Sequence, residues 1–118
     1  MAKIAIVVLA DTETPEALGR VVNALETAKE ASEHNDDVRI IFDGAGTRWI
    51  PELAKKSHKA HPLYVAVKDK ITGACDFCSA AFGVKQQVID LGVTLLNEYD
   101  SHPGLRKLVA EGFQVITF

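Results

Sequence analysis

The sequence predicts an α/β domain built on a five-stranded, mostly parallel sheet with helices on both faces. Three observations carry that reading. Short apolar runs alternate along the chain with segments whose apolar residues recur every three or four positions, as βαβ units require. The runs are unbroken rather than alternating, as in Ile4-Ala5-Ile6-Val7-Val8-Leu9, which is the pattern of strands buried on both faces. Helix-length segments separate successive runs, and a parallel pairing needs such a crossover, which is nearly always right-handed.

Ile4 to Leu9 is the first strand. Thr14 then caps a helix with Pro15 in its first turn and Glu16 behind it; Leu18, Val21, Val22, Leu25 and Ala28 line one face until the helix ends near His34 and Asn35. Val38 to Phe42 make the second strand, stopped by the turn Asp43-Gly44-Ala45-Gly46. Thr47 to about Lys56 is helical or mixed, with Pro51 marking the helix start. A further helix opens at Pro62, carries Leu63, Val65, Ala66 and Val67 toward Lys70, and is ended by Gly73. A brief third strand fits just before Cys75. Ser79 to Leu91 reads as helix, bent or split at Gly83, with Gly92 as its stop. Val93 to Leu96 give the fourth strand. Ser101 or His102 caps a last helix with Pro103 in its first turn, Gly112 terminates it, and Phe113 to Phe118 form the fifth strand.

At 118 residues the chain is one domain, able to bury roughly two-thirds of its unfolded surface without disulfides or a structural metal. No apolar run approaches the ~18 residues of a membrane helix, and Ile4 to Ala10 lacks the pattern of a signal peptide, so the expectation is a cytosolic protein with no membrane partner. Sixteen acidic residues against thirteen basic ones, with no Lys/Arg block, give no footprint for nucleic acid. Asp43-Gly44-Ala45-Gly46-Thr47 lacks the third glycine of a dinucleotide fingerprint and the lysine of a P-loop. It is better read as a tight turn that lets the backbone pass close to a neighbour, and no cofactor is expected.

Ligands of open parallel sheets gather at the carboxyl ends of the strands. Four groups lie there: Asp11, Thr12 and Glu13; Asp43 to Thr47; the pair Cys75 and Cys78; and the loop Asn97 to His102. Two cysteines three positions apart cannot staple distant segments, so in a reducing compartment they form a redox, nucleophilic or metal-binding pair. A helix starting at or just after Cys75 would lower that thiol's pKa and place Cys78 one turn along, able to form a disulfide or resolve a persulfide. On this expectation Cys75 reacts quickly and Cys78 faces the core. Packing as two small buried hydrophobes is the plain alternative. A thioredoxin-type dithiol is another, although no proline stands opposite the pair in the expected place.

His58, His61, Cys75 and Cys78 together make the ligand set of a tetrahedral zinc site, while His58-Lys59-Ala60-His61 is equally ordinary loop composition. Glu98 and Asp100 are either an acid/base pair or an acidic loop ahead of a helix N-terminus. Trp49 is either a lid on the core or an exposed anchor for another subunit.

The order of elements, the turn Phe42-Asp43-Gly44-Ala45-Gly46-Thr47, the segment from Ala74 through Cys75-Asp76-Phe77-Cys78 to Val84, and the tail from Leu96-Asn97-Glu98-Tyr99 through His102-Pro103 to Phe118 resemble the DsrE/DsrF family of small sulfur-relay-like proteins. The resemblance covers almost the whole chain. It implies a three-layer α/β/α sandwich, association into homo-oligomers or related hetero-oligomers, and a cysteine that carries sulfur as a persulfide, exchanged with sulfur donor or acceptor proteins. In relay members that cysteine stands eight residues before a glycine, as Cys75 stands before Gly83, which makes Cys75 the carrier. Basic residues common just before the glycine are replaced here by Ala81 and Phe82, and the second cysteine, Cys78, is added.

Overall fold

The computed structural model describes residues 1–118. Strand β1 (Lys3–Val8) leads to helix α1 (Pro15–Glu33) and strand β2 (Asp37–Phe42). A 3-10 turn (Gly44–Arg48), α2 (Trp49–Ala54) and α3 (His61–Val67) follow, and then β3 (Ile71–Cys75). Helices α4 (Asp76–Ala81) and α5 (Lys85–Asp90) precede β4 (Leu95–Leu96), and α6 (Leu105–Ala110) precedes β5 (Gln114–Thr117). The sheet order is β4-β3-β2-β1-β5 and every pairing is parallel.

That order fixes where the helices go. The chain steps in one direction from β1 to β4 and then returns once to lay β5 beside β1. Right-handed crossovers place the helices of the three forward steps on one face and the helix of the return step on the other. Accordingly Ile6, Val8, Ile40, Phe42 and Ala74 pack against Val21 and Leu25 of α1, Ile50 and Leu53 of α2, Tyr64 and Val67 of α3, and Val88 of α5. On the opposite face Ala5, Val7, Ile41 and Leu96 meet Leu108 of α6 and Phe113. Lys3 and Arg39 lie over the Phe113 ring, capping this thinner layer with cations. No helix is long and apolar enough to cross a membrane.

Two glycines exist for close approach. A Cβ on Gly46 would lie 2.0 Å from the Val8 carbonyl oxygen, which is the close backbone passage expected of this turn. A Cβ on Gly73 would lie 2.4 Å from the Thr94 oxygen, so Gly73 does not end a helix as expected but sits inside β3, where it admits the β4 segment. Trp49 is a lid on the core, 2% exposed, with its indole N–H donating to the Ala10 carbonyl at 2.9 Å. It is therefore not a subunit anchor.

Three boundaries differ from expectation. The helix expected to start at Pro51 starts at Trp49. The helix expected from Ser79 starts at Asp76, because Cys75 caps it, and it splits as expected at Gly83, where φ is +75. Neither Ser101 nor His102 caps α6. Gly104 holds that position, and its amide donates to Glu98 Oε1 at 3.1 Å.

Candidate functional site

Strand β3 delivers Cys75 to the carboxyl edge of the sheet, where the chain turns directly into α4. Neighbouring strand residues point to opposite faces, so Ala74 joins the α1 side while Cys75 points to the other. Cys75 is fully buried and serves as the N-cap of α4: its Sγ accepts the Cys78 amide hydrogen at 3.3 Å, the place a serine oxygen usually takes. The Cys75 thiol also faces the Ser101 carbonyl at 3.8 Å. Cys78, one turn on, is only half-buried, and its Sγ lies 3.5 Å from Asp43 Oδ1. Asp43 in turn accepts the Gly44 amide at 2.9 Å and holds the turn after β2 in place.

The loop after β4 closes the site. Tyr99 and His102 exchange backbone hydrogen bonds of 3.0 and 2.7 Å, with Asp100 and Ser101 both in the left-handed region (φ 47 and 64). The Phe77 amide donates to the Ser101 carbonyl at 2.9 Å, and the Phe77 ring stacks on the His102 imidazole, centroids 4.9 Å apart. Cys75, Cys78 and His102 thereby bring two sulfurs and a ring nitrogen within 4.8 Å of one another. Ser79 Oγ is buried nearby in sequence without a hydrogen-bond partner.

Burial works against the lowered Cys75 pKa expected from the helix start. Burial pushes Cys75 up to about 12, and the Cys78 amide, which works in the lowering direction, does not offset it. The contacts with Cys78 and the charge of Asp43 add to the rise. A six-residue helix supplies too little field to overcome desolvation. Cys75 is the buried thiol of the pair and Cys78 the half-buried one. Asp76 is held below the usual carboxylate range by Lys85 at 3.0 Å and by the Asn97 amide at 3.3 Å, which bind its two oxygens.

Of the four strand-end groups, three converge here: the cysteine pair, Asp43, and the loop Asn97 to His102. The fourth does not. Arg48 binds Asp11 at 2.9 Å and Glu13 at 2.6 Å, and that loop instead lines an open polar groove of about 490 Å³ with His58 and Lys59.

The zinc set read from the sequence is not assembled. His58 Nδ1 accepts the Ala60 amide, its ring is edge-on to Trp49, and His61 Nδ1 sits 2.8 Å from the Leu53 carbonyl at the α2–α3 junction. His102 joins the cysteines instead. Its only sequence signal is membership of a strand-end loop, since the contact spans β4. Glu98 binds the Gly104 amide and lies 3.5 Å from Lys107, so it secures α6 rather than pairing with Asp100.

An uncharacterized protein of Methanocaldococcus jannaschii is 28% identical over 96 residues, spanning 81% of this chain and 78% of that protein. A conserved protein of unknown function from Bacteroides thetaiotaomicron has the same fold, with a TM-score of 0.65 at 16% identity over 97% of this chain and 94% of that one. The model of the DsrE/DsrF-like family matches residues 5–118. With its wholly parallel sheet and its cysteine at the end of β3, the chain belongs to the DsrE/DsrF-like family.

Proposed function

We propose that this protein carries sulfane sulfur as a persulfide at the Cys75–Cys78 pair, with Cys78 as the thiol that meets the donor. The observation that carries the reading is the asymmetry of two free thiols at one strand end, Cys75 buried and Cys78 half-buried. Family membership supports the chemistry. In the loading step the Cys78 thiolate attacks the outer sulfur of a donor persulfide, forming Cys78–S–SH and releasing the donor as its thiolate. Discharge by Cys75 would give the Cys75–Cys78 disulfide and hydrogen sulfide. A thiol held up to about 12 is almost wholly protonated at neutral pH, so this discharge is slow and the persulfide lasts long enough to be passed on.

The proposal includes a docking surface for self-association and for donor or acceptor proteins. Phe77 in the first turn of α4, Phe82 at its C-cap and Tyr99 in the loop after β4 are 56%, 42% and 71% exposed, apolar surface that water does not favour.

Mass spectrometry after treatment with inorganic polysulfide tests the assignment. One added sulfur atom is expected in the parent and in Cys75→Ser, and none in Cys78→Ser. No addition in the parent rejects sulfur carriage. Loss in Cys75→Ser alone returns the carrier role to Cys75.

A further inference from the structure

Persulfide chemistry uses the two sulfurs and leaves His102 without a task. We propose that Cys75 Sγ, Cys78 Sγ and His102 Nε2 form a binding site for a thiolate-preferring d10 cation, Zn²⁺ foremost. The two sulfurs and a ring nitrogen of His102 already lie within 4.8 Å of one another. Tetrahedral bonds of ~2.3 Å to sulfur and ~2.0–2.1 Å to nitrogen need ligand separations of about 3.5–3.8 Å, so closure asks for roughly an ångström. Cys78 and His102 are both only half-buried and can supply it.

The histidine is prepared for ligation. Its Nδ1 lies 2.6 Å from the Asp100 carbonyl, which can only accept; the proton therefore sits on Nδ1 and the lone pair on Nε2. A backbone carbonyl behind the imidazole is the usual outer partner of a metal-bound histidine. Stacking on Phe77 fixes the ring plane, and the left-handed pair Asp100 and Ser101 holds the turn that presents it. Two thiolates and an imidazole favour Zn²⁺ over Mg²⁺ or Ca²⁺, which take oxygen ligands.

Binding exchanges two thiol protons for the cation: Zn²⁺ and two S–H groups give two Zn–S bonds and two H⁺ released to solvent. Three protein ligands leave a fourth position for water or an exogenous thiol. Asp43, whose Oδ1 approaches Cys78 Sγ alone and is also engaged by the Gly44 amide, stands outside the set. The proposal does not depend on sulfur carriage. The two uses exclude each other at Cys78, so bound metal would shield the thiol from polysulfide.

The test titrates Zn²⁺ alone into the fully reduced chain against a chromophoric chelator, with Co²⁺ as a spectroscopic substitute. One equivalent is expected, with a thiolate-to-cobalt charge-transfer band whose intensity matches two thiolates. Cys78→Ser should lose tight binding, and His102→Ala should weaken it at least tenfold, both with an unchanged circular dichroism spectrum. A His58→Ala/His61→Ala double variant should bind as the parent does. Because Cys75 is buried and its replacement can unfold the chain, the deciding variants are those at the half-buried Cys78 and His102. Absence of stoichiometric binding overturns the site, and so does a His102→Ala variant with parental affinity.

Discussion

Gly46 and Gly19 are opposite cases of one residue type. The absent Cβ of Gly46 would meet the backbone of β1 itself, 2.0 Å from the Val8 oxygen, where nothing can rotate aside. Gly46→Ala is expected to cost roughly 1–3 kcal/mol in denaturant unfolding, the range of overpacked sites. Gly19 lies within α1 with nothing inside 4 Å, so Gly19→Ala should stabilise by roughly 0.5–1 kcal/mol. Tyr64 gives a pH dependence. Burial raises its hydroxyl above the ordinary 10.0, so at higher pH the unfolded chain loses this proton before the folded one does. Its contribution is fully present below pH 10 and is lost as pH rises through the folded value. Tyr64→Phe should leave stability at pH 7 nearly unchanged and make the alkaline decline shallower; equal slopes in the two proteins would reject the assignment.

Among the helices, only α1, at 19 residues, is long enough to depend on its own capping and propensity. Thr14 caps it by accepting the Ala17 amide at 3.0 Å, with Pro15 next, so the signals visible in the sequence are the ones the helix uses. Thr14→Ala should lower unfolding free energy by about 1 kcal/mol without altering alkylation of Cys78. The other helices have six or seven residues and are set by packing, which leaves their boundaries faint in the sequence. A periodic stretch from Ser79 to Leu91 shows the break at Gly83 but cannot reveal that Cys75 caps the turn before it.

The whole molecule exposes 6315 Å², close to the roughly 6,300 Å² expected of a folded monomer of 12.8 kDa. A single chain therefore has a complete core, and the proposed self-association would add to a finished fold rather than complete one. Light scattering should give a multiple of 12.8 kDa, and a Phe77→Asp/Tyr99→Asp variant should shift toward the single-chain mass while remaining folded. A parent that stays at 12.8 kDa over a wide concentration range would sink the association.

By itself the sequence determined the α/β class, the five strands and the cysteine pair at a strand end, because each is written in local periodicity, capping and spacing. Gly46 was legible too, since a glycine turn without phosphate-binding residues has few other uses. Only the tertiary structure decided which thiol is buried and which histidine stands beside the pair. The pKa of Cys75 follows from burial on the far face of the sheet, and that burial depends on strand alternation and on the loop after β4. His58 and His61 are nearer to the cysteines in sequence, yet α3 and β3 carry the chain away from them. His102 arrives because β4 pairs in parallel with β3 and returns its following loop to the same sheet edge. Contacts across strand pairings leave no periodic trace in a single sequence, so only the folded chain reveals them.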